Sequence, residues 1–340
     1  MVGIVDYGFY IPKYRIKVDD VAKQWGKCTD KVERSLRVTE KAVAGRDEDM
    51  VTMAYEASTM ALEKQQGVKK DIGAVFIGSE TFPYAVKPIS TSLADWLDLS
   101  NDYLAYDTQF ACKAATGALI SAQALVKSGD IDYALVCASD KANARPKDTL
   151  EYSAGSGANA WLLGTKDVML EILDWHSYSS DTPDFWRRAK ADYPSHAGRF
   201  TGSPAYFRHI LSSSKALLEK QHITAADITY GVFHMPNGSF PLKAAQKLGF
   251  TKEQVEKSYI VPVLGNSYSA SALMGLVATL EYAKPGDTIF FASYGSGAGS
   301  DAILFKVTDA IVERRKAFRS SIEKKTYIDY GTYMQYMHII

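Results

Sequence analysis

The chain has 340 residues, 46% of them hydrophobic and 23% charged, with Lys+Arg and Asp+Glu both totalling 39. That length allows one large or two medium domains with ample core, and the balanced charge leaves no net field to attract nucleic acid or a membrane surface. Its three cysteines, Cys28, Cys112 and Cys137, are odd in number and lack metal-ligand spacing, which argues against a disulfide framework or zinc site and fits a reducing cytoplasm.

The opening MVGIVDYGFYIPKYRI reads as a strand followed by a polar loop, not a signal peptide. No apolar run reaches the roughly 18 residues needed to span a bilayer. A soluble, cytoplasmic protein is expected. Charged helices follow in 17–70 (VDDVAKQWG, DEDMVTMAYEASTMALEKQQ), then a strand in DIGAVFIGSE, 71–80. Segment 105–140 is the most informative. Apolar spacing at Ala115, Leu119, Ala122, Leu125 and Val126 predicts a helix that stops at Gly129-Asp130, followed by a strand over 133–138. Cys112 stands at the start of that helix, where unpaired N–H groups and the helix dipole favour an anion and hence a thiolate. The alternative is a buried, inert thiol.

The second half repeats the first. ATGALISAQALVKSGD (115–130) matches ALMGLVATLEYAKPGD (272–287) at a displacement of 157 residues, and Val75-Phe76 match Val232-Phe233 at the same displacement. Each copy reads as strand, loop, helix, strand, the α/β pattern. Two similar α/β halves about a pseudo-twofold axis are expected, 1–167 and 168–340. Their small-residue helices after Cys112 and Ser269 would form the central layer. The second half carries an aromatic, His-containing insertion at about 175–209 and ends on an aromatic tail, YIDYGTYMQYM (327–337), read as a last packed strand rather than a docking surface.

Chemistry is sought where the copies diverge. Cys112 has Ser269 as its counterpart, with Asn266 beside it; the loop after Phe76 ends at Glu80, and the loop after Phe233 begins with His234. All four lie near carboxyl ends of strands or helix starts, where open α/β sheets bind ligands. Each also has a structural reading: a solvated carboxylate for Glu80, a core imidazole for His234, turn chemistry for Asn266. The loop YGSGAGS (294–300), which contains Ser296, is either a flexible turn or a set of N–H groups able to hold an oxyanion. No Gly-Lys-Ser/Thr follows it and no GxGxxG opens a helix, so nucleotide chemistry is disfavoured. His176, His196, His209 and His222 are read as structural.

The motifs GSETFPYAVKP (78–88), FACKAATG (110–117), GRFTGSPAYFRH (198–209), FHMPNGSFPLKAAQKLGF (233–250), GNSYSAS (265–271) and SYGSGAGSD (293–301) resemble the thiolase superfamily and, within it, the archaeal-type hydroxymethylglutaryl-CoA synthases, over essentially the whole chain. A thiolase would carry a second catalytic cysteine near the Gly-rich loop, and a type III ketoacyl synthase would lack the glutamate at position 80. The resemblance implies a five-layer αβαβα sandwich. It also implies a covalent mechanism in which Cys112 carries an acetyl group, Glu80 is the base and His234 polarises the ketone and protonates the alkoxide of the second substrate. Asn266 would hold His234 or that substrate, and N–H groups near Cys112 and Ser296 would stabilise the oxyanion.

Under this resemblance the substrates are acetyl-CoA and acetoacetyl-CoA, with no metal or redox cofactor. Ser153, Arg199, Thr201, Lys243 and Lys247 are the candidates for holding substrate and coenzyme A, although Ser239 stands where the family has lysine and Lys243 where arginine is expected. A solvated helix face is the alternative for Lys243 and Lys247. A homodimer is implied, as is assembly with acetoacetyl-CoA thiolase and a small OB-fold zinc-ribbon protein. Two other functions stay open on the residues alone: a ketoacyl-synthase-type enzyme with different substrates, and a silent homologue serving as scaffold. The retained Glu80, Cys112 and His234 argue against the last.

Overall fold

Apolar runs become strands in chain order: β1 (Gly3–Tyr10), β2 (Tyr14–Lys17), β3 (Glu40–Val43), β4 (Ile72–Gly78), β5 (Leu104–Thr108), β6 (Tyr133–Lys141), β7 (Ser156–Gly164), β8 (Leu170–Ser179), β9 (Phe185–Trp186), β10 (Ser195–His196), β11 (Tyr230–Phe233), β12 (Thr288–Ala292), β13 (Gly299–Val307) and β14 (Thr326–Tyr327). The computed structural model describes residues 1–338, and the side chains of Gln66 and Arg199 lie outside what it describes. Nine strands form one sheet in the order β11-β12-β13-β8-β1-β7-β6-β4-β5.

The duplication is visible in that order. Reading outward, β1-β7-β6-β4 runs antiparallel, antiparallel, parallel, and β8-β13-β12-β11 repeats the same sense. The two groups join where Gly3 faces Glu171 and Ile4 faces Leu170. The edge strand β5 has no strand partner in the second copy: the stretch 157 residues on is the short helix Val261–Leu264. Pro262 falls within it and has no N–H to give a ladder.

Side-chain alternation along the strands divides the core into layers. Phe76, Val136 and Trp161 from the first group and Val232, Phe291, Ile303 and Phe305 from the second face a shared cluster with the helices Ala114–Ser128 and Ser271–Leu280. Val75, Ile77 and Leu135 point the other way, toward Met50–Leu62 and Ile89–Trp96. Phe290 and Leu304 likewise face Phe207–Lys220 and Phe240–Lys247. The result is helix, sheet, helix, sheet, helix. Every residue of Ser271–Leu280 is buried, as expected of a helix that is apolar or small all round. The first copy's helix ends at Gly129, with φ of 82° supplying the left-handed cap.

The tail departs from expectation. Only Thr326–Tyr327 is strand, paired with β2; Tyr330–Tyr336 is helical because Asp329 caps it, its Oδ1 accepting the Thr332 N–H at 2.7 Å. Tyr333 is buried in the core.

Gly78 closes β4 directly against the start of the central helix, so a Cβ there would run into the backbone of Ala114 and Ala115. Gly78→Ala is expected to lower stability by about 1–3 kcal/mol. Gly67→Ala, which has open space around its Cβ, should leave the urea unfolding midpoint near that of the parent chain.

Candidate active site

Cys112 sits in a strained turn. Ala111 before it has φ of 44°, and Tyr268, its counterpart 157 residues on, has φ of 46° before Ser269. A non-glycine residue in this region costs about 1–3 kcal/mol unless its surroundings hold it there. Both copies keep the turn, and only one keeps the thiol. A buried ion pair fixes the residue after the thiol: Lys113 Nζ lies 3.0 Å from Asp301 Oδ2. Asp301 also accepts from Thr116 Oγ1 at 2.8 Å and Ser177 Oγ at 2.6 Å. The Cys112 turn is thereby tied to β13.

Glu80 is placed by a second buried carboxylate. Asp140, at the end of β6, is fully buried. Its Oδ1 accepts from Ser79 Oγ, the Glu80 N–H and Thr81 Oγ1, each at 2.8 Å. Its Oδ2 accepts from the Ser269 N–H at 2.8 Å and Ser269 Oγ at 2.6 Å. Five donors offset the desolvation of a buried charge. Arg187 Nη2 adds a 2.7 Å bond to the Glu80 carbonyl. Asp140 was not found from sequence. A signal for it existed, since its counterpart 157 residues on is Gly297, a divergence between the copies.

The side chain so held meets the thiol. Thiol and carboxyl lie close enough that each shifts the other's proton affinity. Glu80 keeps some exposed surface as a residue, but its Oε1 is buried and free of partners. Burial, then the charge of Asp140, pushes the Glu80 carboxyl up to about 8. Burial, then Glu80, raises the Cys112 thiol well above its usual range. The sequence expectation of a thiolate favoured by the helix start is therefore overturned. Two buried carboxyls and desolvation outweigh the dipole, and the resting group is a thiol.

His234 follows β11 and is fully buried, with both ring nitrogens unpaired among the described residues. Burial brings its pKa down to about 3, so the imidazole is neutral. The Tyr206 hydroxyl fixes its carbonyl at 2.8 Å, and its ring lies 6.2 Å from that of Tyr294. The Tyr294 hydroxyl donates to Asp184 Oδ2 at 3.1 Å. A buried imidazole with both nitrogens unpaired is a group awaiting a ligand.

A cavity of about 480 Å³ opens onto Cys112 and is lined also by Ser153, Thr201, Lys243, Asn266 and Ser296. Thr201 Oγ1 is buried without a partner. Asn266 is fixed by its N–H on the Ser153 carbonyl at 2.6 Å, and its Oδ1 accepts from the Tyr268 N–H, so it does not hold His234. Lys247 does not line the cavity; its Nζ stands 6.0 Å over the Phe207 ring. The Arg199 side chain lies outside the described residues. Tyr268, Phe185 and His196 also line the cavity, which revises the purely structural reading of His196. It reaches the site through the β9–β10 hairpin, where it faces Phe185, and bonds Asp148 at 2.8 Å. That pairing is non-local and leaves no local trace in the sequence. Among the described residues no group of three or more His, Cys, Asp or Glu could hold a metal ion, and no helix is long and apolar enough to cross a membrane.

Comparison with known proteins gives a consistent result. Residues 1–168 match the family described as Hydroxymethylglutaryl-coenzyme A synthase N terminal, and residues 218–307 match 3-Oxoacyl-(acyl-carrier-protein (ACP)) synthase III C terminal. The chain is 47% identical to the hydroxymethylglutaryl-CoA synthase of Archaeoglobus fulgidus over 338 residues, covering 99% of this chain and 98% of that protein. It is also 47% identical to that of Methanothermobacter thermautotrophicus over 339 residues, again 99% and 98%. Among solved structures it is similar to an HMG-CoA synthase complexed with CoA, with a TM-score of 0.88, 23% identity and coverage of 98% and 89%. It is likewise similar to MvaS in complex with 3-hydroxy-3-methylglutaryl coenzyme A, with a TM-score of 0.90, 23% identity and coverage of 99% and 91%. The fold is thiolase-like.

Two measurements check these electrostatics. At pH 7 iodoacetamide should alkylate exposed Cys28 well before Cys112, and at about pH 9, above the Glu80 pKa of about 8, Glu80→Gln should speed the reaction at Cys112 by removing a charge that holds its proton; faster labelling of Cys112 than Cys28 in the parent chain would contradict the raised thiol. Because the folded chain holds the Glu80 proton up to about 8 against an ordinary 4.5, stability should fall as pH rises through that interval. Glu80→Gln should not share the fall, so its stability advantage grows from pH 4.5 to 8.

Proposed function

The chain belongs to the hydroxymethylglutaryl-CoA synthase family, and from that premise we propose that it condenses acetyl-CoA with acetoacetyl-CoA and water to give HMG-CoA and free coenzyme A. The observation that carries the residue assignment is the mutual electrostatic influence of buried Cys112 and Glu80, together with a buried His234 whose ring nitrogens are unpaired among the described residues.

In this reading Cys112 attacks the acetyl thioester, a C–S bond forms to Cys112, and its proton leaves on the coenzyme A sulfur. Glu80, with a pKa near 8, is poised to take a proton from the acetyl methyl near neutral pH. The resulting carbanion attacks the ketone carbon of the second substrate. A neutral imidazole suits His234 as the hydrogen-bond donor to the oxygen that gains charge; the alkoxide, a far stronger base, is protonated through it, and the proton that Glu80 took from the methyl replaces the one His234 gave, leaving Glu80 a carboxylate. N–H groups near Cys112 and Ser296 serve the thioester oxyanion, and Ser153, Thr201, Lys243 and Asn266 line the path of the pantetheine arm. Water then frees the product from Cys112.

The two halves are taken as 1–167 and 168–340, on the matching strand orders. A homodimer through the free edge of β5, where Leu104 is exposed, fits this architecture. A cytoplasmic setting, a place in the mevalonate route to isoprenoid precursors, and assembly with acetoacetyl-CoA thiolase and an OB-fold zinc-ribbon protein rest on the family resemblance.

The test is intact-chain mass with the two substrates together with thiol release. Cys112→Ala should form no acetyl adduct and lose turnover; full turnover without it would end the covalent scheme. Glu80→Ala should still acetylate, because two causes that hold the thiol protonated are gone, yet condense at least about a hundredfold more slowly.

A further inference from the structure

We infer that a second, smaller cavity on the Glu80 side is the entrance for the water that releases the product, separate from the route of the thioester substrates; the inference rests on the condensing function proposed above. Two cavities meet at the Cys112 turn. The larger, of about 480 Å³, contains Cys112 and the substrate candidates. The smaller, of about 250 Å³, is lined by Ser79, Glu80, Gln109, Ala111, Trp186 and Arg187. Phe185 and Ser296 line both and so form the partition.

The chemistry requires two routes. Once condensation is complete, the product is tethered to Cys112 at one end and carries coenzyme A at the other, so the larger cavity is filled when water is needed. The smaller cavity offers what a transient water requires, several polar partners: the Glu80 carboxyl, the Gln109 amide and the Arg187 guanidinium. Glu80 lines this cavity and its Oε1 is buried with no partner, so rotation of the carboxyl turns a free acceptor toward a water. Arg187, bonded to the Glu80 carbonyl at 2.7 Å, holds the wall in place, and Trp186, 45% exposed, stands at the mouth. The step balances. Water gives a proton to the Glu80 carboxylate as its oxygen bonds to the thioester carbon. The C–S bond to Cys112 breaks, and Glu80 returns the proton to the departing sulfur. The products are a carboxylic acid, which ionises, and the resting thiol.

The test compares two rates in single turnovers with acetyl-CoA and acetoacetyl-CoA, quenched and read by intact mass: appearance of acetyl-Cys112 and decay of the condensed adduct. Gln109→Trp, which fills the small cavity at an exposed position, should lower the ratio of adduct decay to acetylation by about tenfold, and the condensed adduct should accumulate. Trp186→Ala, which widens the mouth, should not lower that ratio. An unchanged ratio in Gln109→Trp, including a parallel fall of both rates, would overturn the water route. Absence of any acetyl adduct in the parent chain would overturn the condensing function itself and this inference with it.

Discussion

One buried carboxylate organises the site. Asp140 lies at the end of a central strand with no exposure to solvent, and its five donors come from two places that are far apart in sequence: the loop carrying Glu80 and the turn at Ser269. A carboxylate removed from water must find such donors or shed its charge, so loop and turn are drawn together wherever the chain folds at all. Lys113 and Asp301 do the reciprocal job, tying the Cys112 turn of the first copy to a strand of the second. The Cys112 turn and, by way of Asp140, the Glu80 loop are therefore both tied to the second copy.

Burial then sets the chemistry. Cys112, Glu80 and His234 are all shifted toward their neutral forms, and in each the first cause is desolvation. With these three groups neutral at rest, charge on them arises as the reaction proceeds, where nearby dipoles act in surroundings that screen poorly. The helix start behind Cys112 is too weak a field to reverse this against two neighbouring carboxyls.

The duplication explains why such an arrangement is available. Both copies retain the left-handed residue before the helix, Ala111 in one and Tyr268 in the other, and both retain the small-residue helix behind it. In the second copy the nucleophile position is Ser269, which has become a ligand of Asp140. Two equivalent turns thus serve as thiol carrier and as anchor for the base.

Much of this was legible in the sequence. Periodicity and turn chemistry are local, so the central helix, its stop at Gly129 and the buried strands could be read directly, and the 157-residue repeat with its break at Cys112/Ser269 pointed to two similar α/β halves and to Cys112, Glu80 and His234 as the residues to weigh. Where local signals compete, reading failed: Asp329 starts a helix inside a tail that looked strand-like. Only the tertiary structure decided which basic residues reach the cavity, bringing in Lys243 and leaving Lys247 on Phe207, and which unmarked residues line it, among them His196 and Phe185. It alone decided the protonation states as well. Those depend on how completely each group is taken out of water and which charges are folded against it, and the chain settles that only when its distant segments meet.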